Sequence, residues 1–106
     1  MNKVALTALV ALCVISAPAS AVTLRGTQSC GAWVNDRHGV YAVPNLTWVI
    51  GFLSGLALES NKDFLRGTDN DSISVWIDNY CHAHPLNDLS DASQELAVEL
   101  VRRKGL

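Results

Sequence analysis

Apolar residues fall at helical spacing in four stretches of this chain, and polar punctuation separates them. Cys30, Trp33 and Val34 occupy positions i, i+3 and i+4, one face of a short helix. Thr27 can cap that helix, and His38-Gly39 ends it after about Arg37. Val40 to Pro44 reads as an extended connection, and Asn45 is placed to cap a second helix reaching about Ser60. In the third segment Ile73, Trp76, Ile77, Tyr80 and Cys81 form a clean amphipathic stripe, which Pro85 stops near His84. A fourth helix, starting near Leu86 or Asn87, turns Leu89, Ala92, Leu96, Leu100 and Val101 inward. Glu99 and Arg103 are spaced for an i, i+4 ion pair, and Gly105 suits a C-cap. The expected fold is therefore all-α, a small four-helix domain.

The second helix differs from its neighbours because it is apolar nearly all round. Leu46, Trp48, Val49, Ile50, Phe52, Leu53, Leu56, Ala57 and Leu58 leave no polar face, a pattern of a central core helix or of a membrane segment. The run from Leu46 to Leu58 is interrupted by Thr47 and Ser54 and falls short of the ~20 apolar residues a span needs. A central core position is expected, with no stable membrane span. Gly51 and Gly55, one turn apart, remove side-chain bulk and would let another helix approach closely.

The stretch from Asn61 to Ser72 is the longest polar interruption, with Phe64 and Leu65 expected to plug back into the core. Loops on a rigid scaffold commonly carry specificity, so Asp63, Arg66 and Asp69 are the candidate partner-binding residues. Asp69-Asn70-Asp71 lacks the alternating oxygen ligands and terminal Glu of a calcium loop. Capping of the third helix by Asp69 or Asp71 explains these acids instead.

Composition adds a compartment. Lys3, the apolar run Val4 to Ile15 and the small-x-small triplet Ala19-Ser20-Ala21 form a cleavable secretory signal over residues 1–21. Leu12 is too bulky to precede an acylated cysteine, which argues against Cys13 as a lipid anchor. Cleavage before Val22 leaves one domain, 22–106, of 85 residues. A domain this small buries only about 60–65% of its unfolded surface and gains from a covalent staple. Cys30 and Cys81 are the two cysteines left to such an exported chain, expected to pair in an oxidising compartment, the periplasm. Closing that loop is worth about 4 kcal/mol by chain entropy.

Charge and motifs remove several function classes. Without Lys3 the net charge is −3, and the only cationic cluster, Arg102-Arg103-Lys104, suits the negative end of a helix dipole. No nucleic-acid surface is expected. Cys81-His82-Ala83-His84, with His38, imitates a metal cluster, but a disulfide-bonded cysteine offers no thiolate and alternate helix positions point apart. Asp78 and His82, at i, i+4, would make an exposed helix-face contact. Gly51-Phe52-Leu53-Ser54-Gly55 misses the nucleophile elbow by one position and has no preceding strand. No catalytic residue, metal or cofactor is expected. The sequons at Asn45 and Asn70 coincide with expected caps and read as incidental.

Taken together, Ser29-Cys30-x-x-Trp33, Trp48-x-x-Gly51-Phe52-Leu53-Ser54-Gly55 and Tyr80-Cys81-x-x-x-Pro85 before a final amphipathic helix resemble the Rap/Tai immunity family. Those are small periplasmic helical proteins that neutralise cell-wall-degrading effectors. The same plan is similar to the HdeA acid-stress chaperones. The chain departs from the first group in lacking a further cysteine near Trp48, and from the second in lacking dense Lys and Asp content. The resemblance implies an HdeA-like fold and a protein partner, either an effector or a client, bound by a monomer or homodimer. Immunity to a secreted effector is the leading expectation, with an acid-stress holdase or a structural envelope protein as the alternatives.

Overall fold

The computed structural model describes residues 22–106; the signal peptide read over residues 1–21 lies outside them. Four helices follow in order: α1 (Cys30–Asp36), α2 (Ala42–Ser60), α3 (Asn70–Ala83) and α4 (Leu89–Lys104). No strand occurs among the described residues beyond an isolated antiparallel bridge between Ser29 and Asp88. The chain is thus a small all-α domain. α1 packs on α3, α3 on α4, and α2 mainly on α4.

Burial follows the amphipathic stripes. α3 buries Ile73, Ile77 and Cys81, and α4 buries Leu89, Ala92, Leu96, Ala97 and Leu100. Small side chains on α4, including fully buried Ser93, let its neighbours approach closely, and Ser93 Oγ donates to Leu89 O at 2.6 Å. Trp33, Phe64, Leu53 and Ile77 are the largest fully buried side chains. Each contributes roughly 1.5–3 kcal/mol relative to exposure. Phe64 plugs into the core as its place in the polar loop suggested, while Leu65 is half-buried.

Cys30 and Cys81 form a disulfide, with Cα atoms 4.8 Å apart and both residues buried. It joins the first turn of α1 to the last turn of α3. A second clamp lies beside it. Asp78 Oδ1 accepts from Trp33 Nε1 at 2.7 Å and from Arg37 Nε at 2.6 Å, and the Arg37 guanidinium lies 5.2 Å from the Trp33 ring centroid. The expected Asp78–His82 contact yields to this cluster, because α1 docks on the face of α3 that carries Asp78.

Several helix boundaries differ from the sequence expectation. Ser29, not Thr27, caps α1, its hydroxyl accepting from Ala32 N at 3.0 Å. Thr27 Oγ1 accepts instead from Ser90 N at 3.2 Å, so it helps cap α4. α4 starts at Leu89, later than expected, under a capping box formed by Asp88 and Asp91. Leu86 is left 98% exposed in the preceding turn. Backbone bonds from Cys30 N to Asn87 O and from Leu89 N to Gln28 O, both 2.8 Å, tie the two helix starts together.

Val40 to Pro44 is not an extended connection, and Asn45 is not a cap. A tight turn after α1 leads directly into α2 at Ala42. Pro44 falls in the first turn, where a backbone N–H has no helical partner to lose. Asn45, the next residue, is buried inside the helix. At the other end Asn61 takes a left-handed φ of 54°, and Lys62 N donates to Ala57 O at 3.2 Å, closing the helix.

The position of α2 is the largest correction. Expected to be central, it buries only Asn45, Val49 and Leu53, a single stripe against α4. Val43 and Leu58 are 73% and 84% exposed. The glycines at 51 and 55 receive no helix, since a Cβ built on either meets nothing within 4 Å. At 19 residues it is long and apolar enough to cross a membrane by length and composition. The shorter run from Leu46 to Leu58 had suggested otherwise.

Candidate interaction surface

The polar loop between α2 and α3 has a fixed backbone. Phe64 anchors it from below, and Lys104, from the last turn of α4, reaches it from the side. Lys104 Nζ donates to Phe64 O at 2.6 Å, to Arg66 O, and to Thr68 Oγ1 at 3.0 Å. Thr68 N also donates to Leu65 O at 3.0 Å. Gly67, at a φ of 76°, supplies the left-handed residue that the turn needs. The dipole explanation of the C-terminal cations is therefore incomplete, because Lys104 binds three loop oxygens.

The structure brings Asp63 and Arg66 together, Arg66 Nε donating to Asp63 Oδ2 at 2.8 Å. Both point into solvent, with side chains 62% and 86% exposed. An exposed pair of this kind adds little to stability, so its charges remain open to a partner. Asp69 is engaged differently. Its carboxylate caps α3, accepting from Ser72 N at 2.6 Å, and that backbone bond, with the Ser72 hydroxyl, holds its pKa below 3.8.

Beside Asp69 lies a cleft of about 460 Å³ between the start of α3 and the end of α4. Ile73, Trp76 and Leu100 form its apolar floor, and Asn79, Glu99 and Arg103 its polar side. Glu99 pairs with both Arg102, at 2.8 Å, and Arg103, at 2.7 Å; these hydrogen bonds lower its pKa. Asp63 and Arg66 do not line this cleft, so the three predicted residues divide between the loop surface and the cleft edge. The cleft was missed because its walls come from opposite ends of two helices. The Glu99–Arg103 spacing was its only local sign.

The remaining chemistry-bearing residues are structurally engaged or scattered. Trp76, Tyr80 and His84 stack as a ladder along α3, with centroids 5.6 and 4.3 Å apart. His84 Nδ1 lies 3.0 Å from Tyr80 O, a contact in which the ring nitrogen is the donor. Among the described residues no group of three His, Cys, Asp or Glu side chains is placed to hold a metal ion. Neither protein-family models nor curated proteins nor solved structures match this chain.

Proposed function

We propose that this chain is a small periplasmic binding protein, an immunity or inhibitor protein directed at a secreted effector, and not an enzyme. The observation that carries the reading is the loop pinned by Lys104 and Phe64, which holds Asp63 and Arg66 outward on a fixed backbone. A surface ordered before binding loses less conformational entropy when a partner docks. The disulfide supports an oxidising compartment, and burial of Val49 and Leu53 against charged α4 favours a domain in water over a membrane span.

The test is affinity capture from periplasmic extract with the chain beginning at Val22. A single secreted effector, retained by the wild type and lost by Asp63→Ala/Arg66→Ala, is the expected result. Retention unaffected by the double variant would defeat this assignment of the surface. An effector gene beside this one would independently favour immunity. The holdase alternative draws on the apolar exposure of α2. It requires suppression of client aggregation at about pH 2 to 3, where carboxylates are protonated, and fails without it.

A further inference from the structure

The C-terminal ends of α2 and α4 meet, because Lys104 in the last turn of α4 holds the loop that follows α2. Between the two ends runs a groove of about 570 Å³. Buried Phe64 and Ala97 form its floor, and half-buried Leu56 and Val101, with exposed Val98, form its sides.

The charged lining of this groove has one sign. Lys62 and Arg102 stand at its rim, and no described Asp or Glu joins them. The acids nearby are engaged or turned elsewhere. Asp63 pairs with Arg66, Glu95 lines a different cleft, and exposed Glu59 lies outside the lining. Glu99 is shared by Arg102 and Arg103, which leaves that trio with a net positive charge. Arg102 gives Nε and Nη2 to Glu99, and its Nη1 has no protein partner among the described residues. Lys62 forms no ion pair among the described residues. The last carbonyls of α2 are taken up as well, since Ala57 O accepts from Lys62 N and Leu58 O from Asn61 N.

Both cations sit at one end. Along α4 the lining runs from Gln94 to Arg102, and along the opposite side from Leu56 to Lys62, so on each side the apolar stretch precedes the charge. We infer that this groove binds a single-chain anionic amphiphile, a free medium-chain carboxylate. Its tail lies along the apolar stretch, and its head group accepts from Lys62 and Arg102.

The volume falls in the range of small-molecule sites, which are mostly apolar with a few polar groups that fix orientation. Ammonium and guanidinium groups give a carboxylate charge-assisted hydrogen bonds. Length sets the chain. The eight steps from Gln94 to Arg102 rise about 12 Å, and C–C bonds of about 1.5 Å advance a zigzag chain by about 1.25 Å per carbon, so about ten carbons fill the groove. Depth separates a free chain from a membrane surface. Phe64 and Ala97 are only 1% and 8% exposed, beneath exposed Lys62 and Arg102. A bilayer would rest on that rim, whereas a single chain reaches the floor.

Calorimetric titration of the chain beginning at Val22 with decanoate tests the inference. Saturable one-to-one binding is expected, with a Kd of about 100 μM or tighter. Decyltrimethylammonium, with the same tail and the opposite charge, should bind at least tenfold more weakly. Lys62→Glu and Val98→Asp should each weaken decanoate binding about tenfold; both side chains are exposed, so the variants keep the wild-type circular dichroism spectrum. Methyl NMR shifts should centre on Leu56, Val98 and Val101. The proposal is overturned by absence of saturation up to about 1 mM, by equal affinity for the two head groups, or by shifts centred on Val43 or Val75 instead. Binding to phosphatidylglycerol vesicles without saturable binding of decanoate overturns it too. Neither Asp63 nor Arg66 lines the groove, so effector capture and decanoate binding fail or succeed separately.

Discussion

Trp33 Nε1 donates a 2.7 Å hydrogen bond to Asp78 Oδ1 across 45 positions of sequence, joining α1 to α3 beside the Cys30–Cys81 bond. Trp33 is 1% exposed, so its indole N–H has no access to water as a substitute acceptor. Asp78 also receives Arg37, and one carboxylate oxygen thereby organises both a buried donor and a surface cation.

Asp78→Ala is expected to lower stability by about 1–3 kcal/mol, because it leaves the Trp33 donor unsatisfied. Asp78→Asn retains an oxygen acceptor and should cost less. Urea unfolding at unchanged m-value reads the difference. Equal losses in the two variants would assign the effect to the Arg37 charge pair.

The disulfide spans 51 positions, and its removal by Cys30→Ala/Cys81→Ala should cost about 4 kcal/mol through release of the unfolded chain. The loss of two buried sulfurs adds to this figure. Thermal unfolding of the disulfide-bonded protein with and without reductant checks it. An unchanged Tm after verified reduction would contradict the clamp.

Asp88 makes the fold sensitive to acid. Burial pushes its carboxyl up, but hydrogen bonds from the Ser90 hydroxyl and the Asp91 and Ser90 backbone outweigh that and hold its pKa below 3.8. A group with a depressed folded pKa stabilises the fold fully above its unfolded value and loses that contribution as pH falls through the folded one. Stability should therefore decline as pH drops from about 5 to below 3.8, with Asp69 and Glu99 acting in the same direction. Asp88→Ala should cost about 1 kcal/mol at neutral pH. Asp88→Asn should keep most of the cap and flatten the acid slope, as measured by urea unfolding across that range.

Lys104→Met removes three hydrogen bonds to the loop while keeping the apolar stem of the side chain. The global cost should be modest, about 1 kcal/mol, because the ammonium remains accessible to water. Locally the effect should be larger. Amide exchange at Thr68, and protease cleavage near Arg66, are expected to rise while α3 and α4 stay protected. Unchanged exchange at Thr68 would show that Phe64 alone holds the loop.

The amino-acid sequence by itself determined the helix count, the inward stripes of α3 and α4, an acidic cap on α3 at Asp69 or Asp71, the Gly105 end and the return of Phe64 to the core; the structure chose Asp69. These depend on spacing along one helix or on a side chain meeting backbone within three residues, so they are written locally. Only the tertiary structure decided that Thr27 serves α4, that Asp78 meets Trp33, and that Lys104 pins a loop nearly 40 positions away. It also decided the setting of α2. An apolar surface declares what it avoids, not which neighbour covers it; here four short helices leave enough core to bury just one stripe of α2, and the glycine face remains open.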